Sequence, residues 1–150
     1  MSGQGGSDLR ETIARLQSVV LESVLQRQPL PGRSEPVWFP DLAWITEAPT
    51  VLVSDENVPA HLPITDANPT VEVVKDADIR EQAAKTGDRA YVRFQPAEQK
   101  AGQIRIVMEV RIAPAEPDIT PLGLGGISTT FVETSEGKWE VVEPHTVFAF

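Results

Sequence analysis

A chain of 150 residues with 41% hydrophobic and 23% charged residues has the size and balance of one globular domain, which argues against a disordered or fibrous class. Its net charge of −9 is spread evenly, with ten acidic and five basic residues up to Lys75 and twelve and eight after it; with no basic lobe to neutralise phosphates, nucleic acids and anionic membranes are poor partners. Cysteine is absent, which removes disulfides, thiolate catalysis and cysteine metal sites together.

Residues 1 to 7 form a glycine-rich leader, and residues 8 to 150 read as a single domain. The start MSGQGGSD lacks the charged-then-apolar pattern of a signal peptide, and no apolar run approaches the ~20 residues of a bilayer span, so a soluble, cytoplasmic protein is expected. Asp8 with Glu11 fits a capping box, and Leu9, Ile13, Leu16, Val20 and Val24 then recur at helical spacing. A helix is predicted from Asp8 to Gln28, stopped by Pro29.

Eight of the 13 prolines lie between Pro29 and Pro69. Proline removes ladder donors and breaks helical turns, so residues 28 to 49 are expected to be an extended wrap rather than a regular element. Val37, Trp38, Phe39, Leu42, Trp44 and Ile45 make that wrap too apolar for a free linker. Two readings stand for Trp38 and Trp44: they plug an open edge of the core, or they line a pocket or partner-docking surface.

The runs Thr50 to Ser54 and Thr70 to Lys75 are β-branched and bounded by turn formers, hence strands; Asp76 or Asp78 then caps a short helix ended by Gly87. The second half alternates strictly. Ala90, Val92 and Phe94 interleave with polar residues, as do Ile104, Ile106, Met108, Val110 and Ile112, which predicts half-buried antiparallel strands joined through the loop PAEQKAG. Pairing Phe94 with Ile104 places Arg93 opposite Arg105 beside Tyr91, an unfavourable like-charge pair that is relieved by a strand carboxylate such as Glu140, by two solvated side chains splaying apart, or by an acidic partner or small anion bound over Tyr91, Arg93 and Arg105. A strand from Ile127, a turn at Ser135-Glu136-Gly137 and a strand from Lys138 close a hairpin that sets Phe131 opposite Val141, and HTVFAF adds a final extended stretch.

GLGGIS, residues 123 to 128, resembles a phosphate-cradling loop in composition only. Such loops lead into a helix, whereas this one leads into a strand without a following Lys-Ser or Lys-Thr, so a bulge or bend is expected. The only two histidines, His61 and His145, lie far apart in loops and have no metal-ligand spacing. No nucleophile elbow, catalytic constellation, cofactor fingerprint or metal motif is present.

The N-terminal helix and the ending GISTTFVETSEGKWEVVEP resemble the small helix-on-curved-sheet rolls of the cystatin-like and nuclear-transport-factor-like superfamily, and uncharacterised bacterial proteins with a Gly-Lys-Trp hairpin near the end. The resemblance covers Asp8 to Gln28 and Arg89 to Phe150, and it transfers no catalytic residue. It implies an α+β fold in which one long N-terminal helix packs on a curved, mainly antiparallel sheet; the proline-rich segment, read from its own residues as a wrap, departs from the superfamily's pattern and argues against an enclosed active-site pocket. The function expected is a non-enzymatic protein-binding or scaffold module, contacting its partner through Tyr91, Arg93 and Arg105 or through Trp38 and Trp44, or forming a homodimer through the sheet. The alternative is a small-molecule-binding or enzymatic roll with an apolar pocket between helix and sheet.

Overall fold

A computed structural model of the chain describes residues 5–39, 42–46, 49–64, 70–142 and 144–149. The apolar stripe that begins at Leu9 forms a helix, α1, over Gly5–Gln26, about 33 Å long at 1.5 Å per residue. It starts three residues earlier than the capping box predicts. Asp8 therefore lies within the helix rather than at its cap. It also ends before Pro29 can act: Arg27 adopts a left-handed φ of 53°, and the Gln28 N–H reaches back to the Ser23 carbonyl at 3.0 Å, the Schellman ending usually given to glycine.

Leu42–Thr46 is a short helix, α2, where an extended wrap is expected; the prolines flank it at positions 40 and 49 and leave its interior free of them. Two strands follow as predicted, β1 at Thr50–Ser54 and β2 at Thr70–Val74, and then α3 at Asp76–Thr86. Lys75, not an aspartate, occupies the N-cap and makes no side-chain cap; Asp76 and Asp78 sit in the first turn, and Gly87 ends the helix with a φ of 108°. The remaining strands are β3 at Arg89–Phe94, β4 at Glu98–Lys100, β5 at Gln103–Ala113, β6 at Leu122–Ser135, β7 at Lys138–Val141 and β8 at Thr146–Ala149.

These strands form one curled, mixed sheet in the order β2-β1-β3-β5-β6-β7, with β4 beside β5 and β8 beside β6. Only the β1 pairings are parallel. The long β5 and β6 make its centre, and each is flanked at both ends by shorter strands. Phe131 pairs with Val141 as the hairpin reading requires, and Gly137, at φ 75°, takes the position that needs it. β6 begins at Leu122 and absorbs the glycine run: the register shifts between Val110 and Arg111, so Leu124 is the bulged residue between Gly123 and Gly125.

One sheet face carries Val53, Val92, Phe94, Ile106, Met108 and Phe131 into a single core with Leu16, Val20, Leu21 and Val24 of α1. Leu30, Val37, Phe39, Ile45 and Leu62 from the connections complete it. On the opposite face a smaller core joins Ile79 and Ala83 of α3 to Leu52, Tyr91 and Ala113. The architecture is α+β, with a layer of helix on each side of the sheet rather than on one side alone. No helix among the described residues is long and apolar enough to cross a membrane.

Candidate functional site

Trp38 is 66% exposed, while its neighbours Val37 and Phe39 are 1% and 2% exposed. The sequence around it explains how an indole comes to be held in water. Leu30-Pro31-Gly32-Arg33 makes a tight turn closed by an Arg33 N–H to Leu30 carbonyl bond of 2.9 Å; proline presets the first corner and Gly32, at φ 84°, supplies the second. A side chain at Gly32 would also meet Cβ of Glu140 at 3.0 Å. The turn is fastened to the sheet by the Val141 N–H, which donates to the Pro31 carbonyl at 2.9 Å. An antiparallel bridge between Pro29 and Pro36 and a 3.2 Å bond from the Val37 N–H to the Gln28 carbonyl bring the chain back alongside the end of α1.

Trp38 is therefore presented by a pinned backbone, with a core anchor on either side. Val142, which follows the stitched Val141, is 43% exposed. His145 lies near the charges of Arg33 and Glu35; burial first, and then the Arg33 guanidinium, lower its pKa, against the opposing pull of Glu35. Trp44 lies in α2, but its side chain falls outside the described residues, so the pairing of the two tryptophans in one surface has no structural description.

The arrangement expected for the first hairpin does not form. β3 pairs with β5 four residues further along, so Arg93 stands opposite Glu109 and Phe94 opposite Met108, while Arg105 pairs across from Glu98 of β4 and Thr130 of β6. The like-charge conflict is removed by register. Ala101 and Gly102, at φ 53° and 78°, make a tight turn that doubles β4 back on the start of β5, and β3 therefore joins β5 only higher up. Tyr91 is 2% exposed beneath α3 and offers no ring to a partner.

Around that register a polar network is built that the alternation pattern reads as outward and solvated. Glu109 is only 3% exposed. Its Oε1 accepts from Arg111 Nη1 at 3.1 Å and lies 3.5 Å from Arg93 Nη1, and its Oε2 accepts from Gln95 Nε2 at 2.5 Å. A carboxylate taken out of water costs several kcal/mol unless paired in this way. Arg93 also donates to Glu56 Oε1 at 2.7 Å, a bond that holds the Glu56 carboxyl below its ordinary range and lifts the guanidinium above its own. Burial, and then the charge of Asp76, raise the Tyr91 hydroxyl pKa, while Arg111 and Arg93 oppose them.

Arg105 is likewise engaged, donating to Glu98 Oε1 at 3.1 Å and to Ser128 Oγ at 3.0 Å. The charges of Arg93, Arg105 and Arg111 are thus matched by carboxylates of the same chain, and a raised phenol pKa suits neither a nucleophile nor a proton donor at neutral pH. What the sequence offers as a signal for the network is the Glu109-Val110-Arg111 spacing, which puts acid and base side by side on one face of a strand.

No family model, no curated protein and no solved structure matches the chain.

Proposed function

We propose that this chain is a non-enzymatic binding module that engages a protein partner through Trp38. The observation that carries the reading is the two-thirds exposure of that indole on a backbone fixed by buried Val37 and Phe39. An aromatic carried on a backbone that is fixed before binding has less chain to order on contact, and such aromatics dominate interface energetics. The buried residues of α1 and of the sheet meet in one apolar cluster, so the middle of the helix–sheet interface serves the core and the Trp38 contact is a surface one. The matched charges around Glu109 favour the Trp38 region over the face carrying Arg93 and Arg105. A likeness to helix-on-curved-sheet rolls and self-association through the sheet belong to the same proposal.

The test compares the native chain with Trp38→Ala in crosslinking and affinity capture from the native host, with thermal unfolding as the control for folding. Truncating a central aromatic is expected to weaken capture by about thirtyfold, from ~2 kcal/mol of lost contact, and to leave the melting temperature within a few degrees. Parental recovery of every partner by a folded Trp38→Ala protein would refute the reading.

A further inference from the structure

A cleft of about 640 Å³ opens between the N-terminal half of α1, the loop before β2 and the β6–β7 hairpin, at the opposite end of the helix from the Schellman turn near Trp38. Its volume falls in the ~300–1,000 Å³ range of ordinary ligand sites. The helix wall supplies Glu11 and Arg15, the loop wall His61, and the hairpin wall Glu133, Gly137 and the half-buried ring of Trp139.

The walls are fixed independently of any ligand. Arg10 donates to the Pro59 carbonyl through Nε at 3.3 Å and Nη2 at 2.9 Å, Gln17 Nε2 donates to the Asn57 carbonyl at 2.9 Å, and Asn57 Nδ2 donates to the Phe94 carbonyl at 2.9 Å. The loop is therefore tied to α1 and to β3, and Leu62, 5% exposed, roots it in the core. On the hairpin side Gly137 N–H donates to Glu133 Oε2 at 2.9 Å and holds that carboxylate in place.

The charges of this cleft are unspent, in contrast with those around Glu109. Neither the Arg15 guanidinium nor the Glu11 carboxylate has a hydrogen-bond or ion-pair partner among the described residues, and Oε1 of Glu133 has none either. A simple anion would meet Glu11, Glu133 and the field of a chain at −9, and a simple cation would meet Arg15. A ligand with both charges satisfies both walls. We propose that the cleft binds a small zwitterion of amino-acid or dipeptide type, its carboxylate on Arg15, its ammonium on Glu133, and its apolar body against the Trp139 ring.

The probe is the dipeptide glycyl-phenylalanine, titrated into the ¹⁵N-labelled protein and followed by chemical shift, beside its N-acetyl and its C-terminal amide forms. The free dipeptide is expected to give saturable shifts at the Trp139 indole N–H, the Arg15 Nε–H and the Gly137 amide. Removing either end charge should weaken binding by about three- to fivefold, the size expected for partly solvated ion pairs. Arg15→Gln should abolish the difference between free acid and amide while keeping the difference between free amine and acetyl, and Glu133→Gln should do the reverse. Absence of saturable shifts in the cleft, equal affinity for free and capped forms, or shifts centred on Trp38 would each overturn the proposal. The capped ligands decide the matter on the native protein even if a variant does not fold.

Discussion

Replacing Tyr91 distinguishes the tertiary arrangement most sharply from the alternation pattern. A tyrosine on a solvated sheet face can be truncated at a cost within about 0.5 kcal/mol. Here the ring is buried among Leu52, Ile79, Ala83 and Ala113, beneath α3. Removing a buried aromatic ring costs ~3–5 kcal/mol in transfer and cavity terms. The smaller core lies at the flank of the sheet under an 11-residue helix that can settle inward, so the lower end, about 3 kcal/mol, applies to Tyr91→Ala. Tyr91→Phe keeps the ring and removes only the hydroxyl, so it should cost no more than about 1 kcal/mol.

For a chain of this length each kcal/mol moves the melting temperature by ~2–4 °C, so Tyr91→Ala should melt ~6–12 °C below the parent and Tyr91→Phe no more than ~2–4 °C below. Denaturant unfolding of the three proteins gives the free energies directly. Because Tyr91 is the single tyrosine, its phenolate absorbance titrates it alone. Its pKa is raised above 10.0 by burial and Asp76, so the folded chain holds the proton more tightly than the unfolded one. The stabilisation is complete below that unfolded value and is lost as pH rises through the folded value. The native midpoint should therefore lie above the midpoint in urea. A Tyr91→Ala protein within ~0.5 kcal/mol of the parent, or coincident native and unfolded titrations, would refute the packing described.

Gly126→Ala should destabilise by about 2–3 kcal/mol in chemical unfolding, because its Cβ would sit 2.5 Å from the Met108 carbonyl oxygen and from Cζ of Phe148, and only the ring can move aside. Adding Phe148→Ala should recover part of that loss but not all of it, since the backbone contact remains. Ala101→Asn should raise stability by about 0.5–1 kcal/mol, because Ala101 holds a φ of 53° beside Gly102 in a turn suited to Asn-Gly; an unchanged or lower denaturation midpoint would contradict the turn assignment.

Local patterns in the sequence determine a good deal. The apolar spacing of α1, the β-branched runs of β1 and β2, and the period-two strands with their inward residues can all be read without the fold, because helical and strand periodicities report which side of an element is dry. The Phe131–Val141 pairing is legible for the same reason, since the Gly137 turn fixes the register over a few residues. The pairing of β3 with β5 is not. A shift of four residues is even, leaves every side chain on the same face, and so is invisible to alternation. It is decided by the Ala101-Gly102 turn and by the attraction of Arg93 to Glu109.

Burial of the second face likewise escapes the sequence. α3 brings only Ile79 and Ala83 to it, too little apolar surface to announce a core, yet enough to enclose Tyr91 once the sheet is assembled beneath. The tryptophans show the same division. Their presence in a proline-rich stretch says that the segment is too apolar to be a linker, but whether Trp38 points into the core or out of it depends on how Val37 and Phe39 are spent. That choice is made by the Pro31 and Val141 bond between segments 110 residues apart in the chain, because an exposed or buried indole is a property of what lies opposite it and not of its neighbours in sequence.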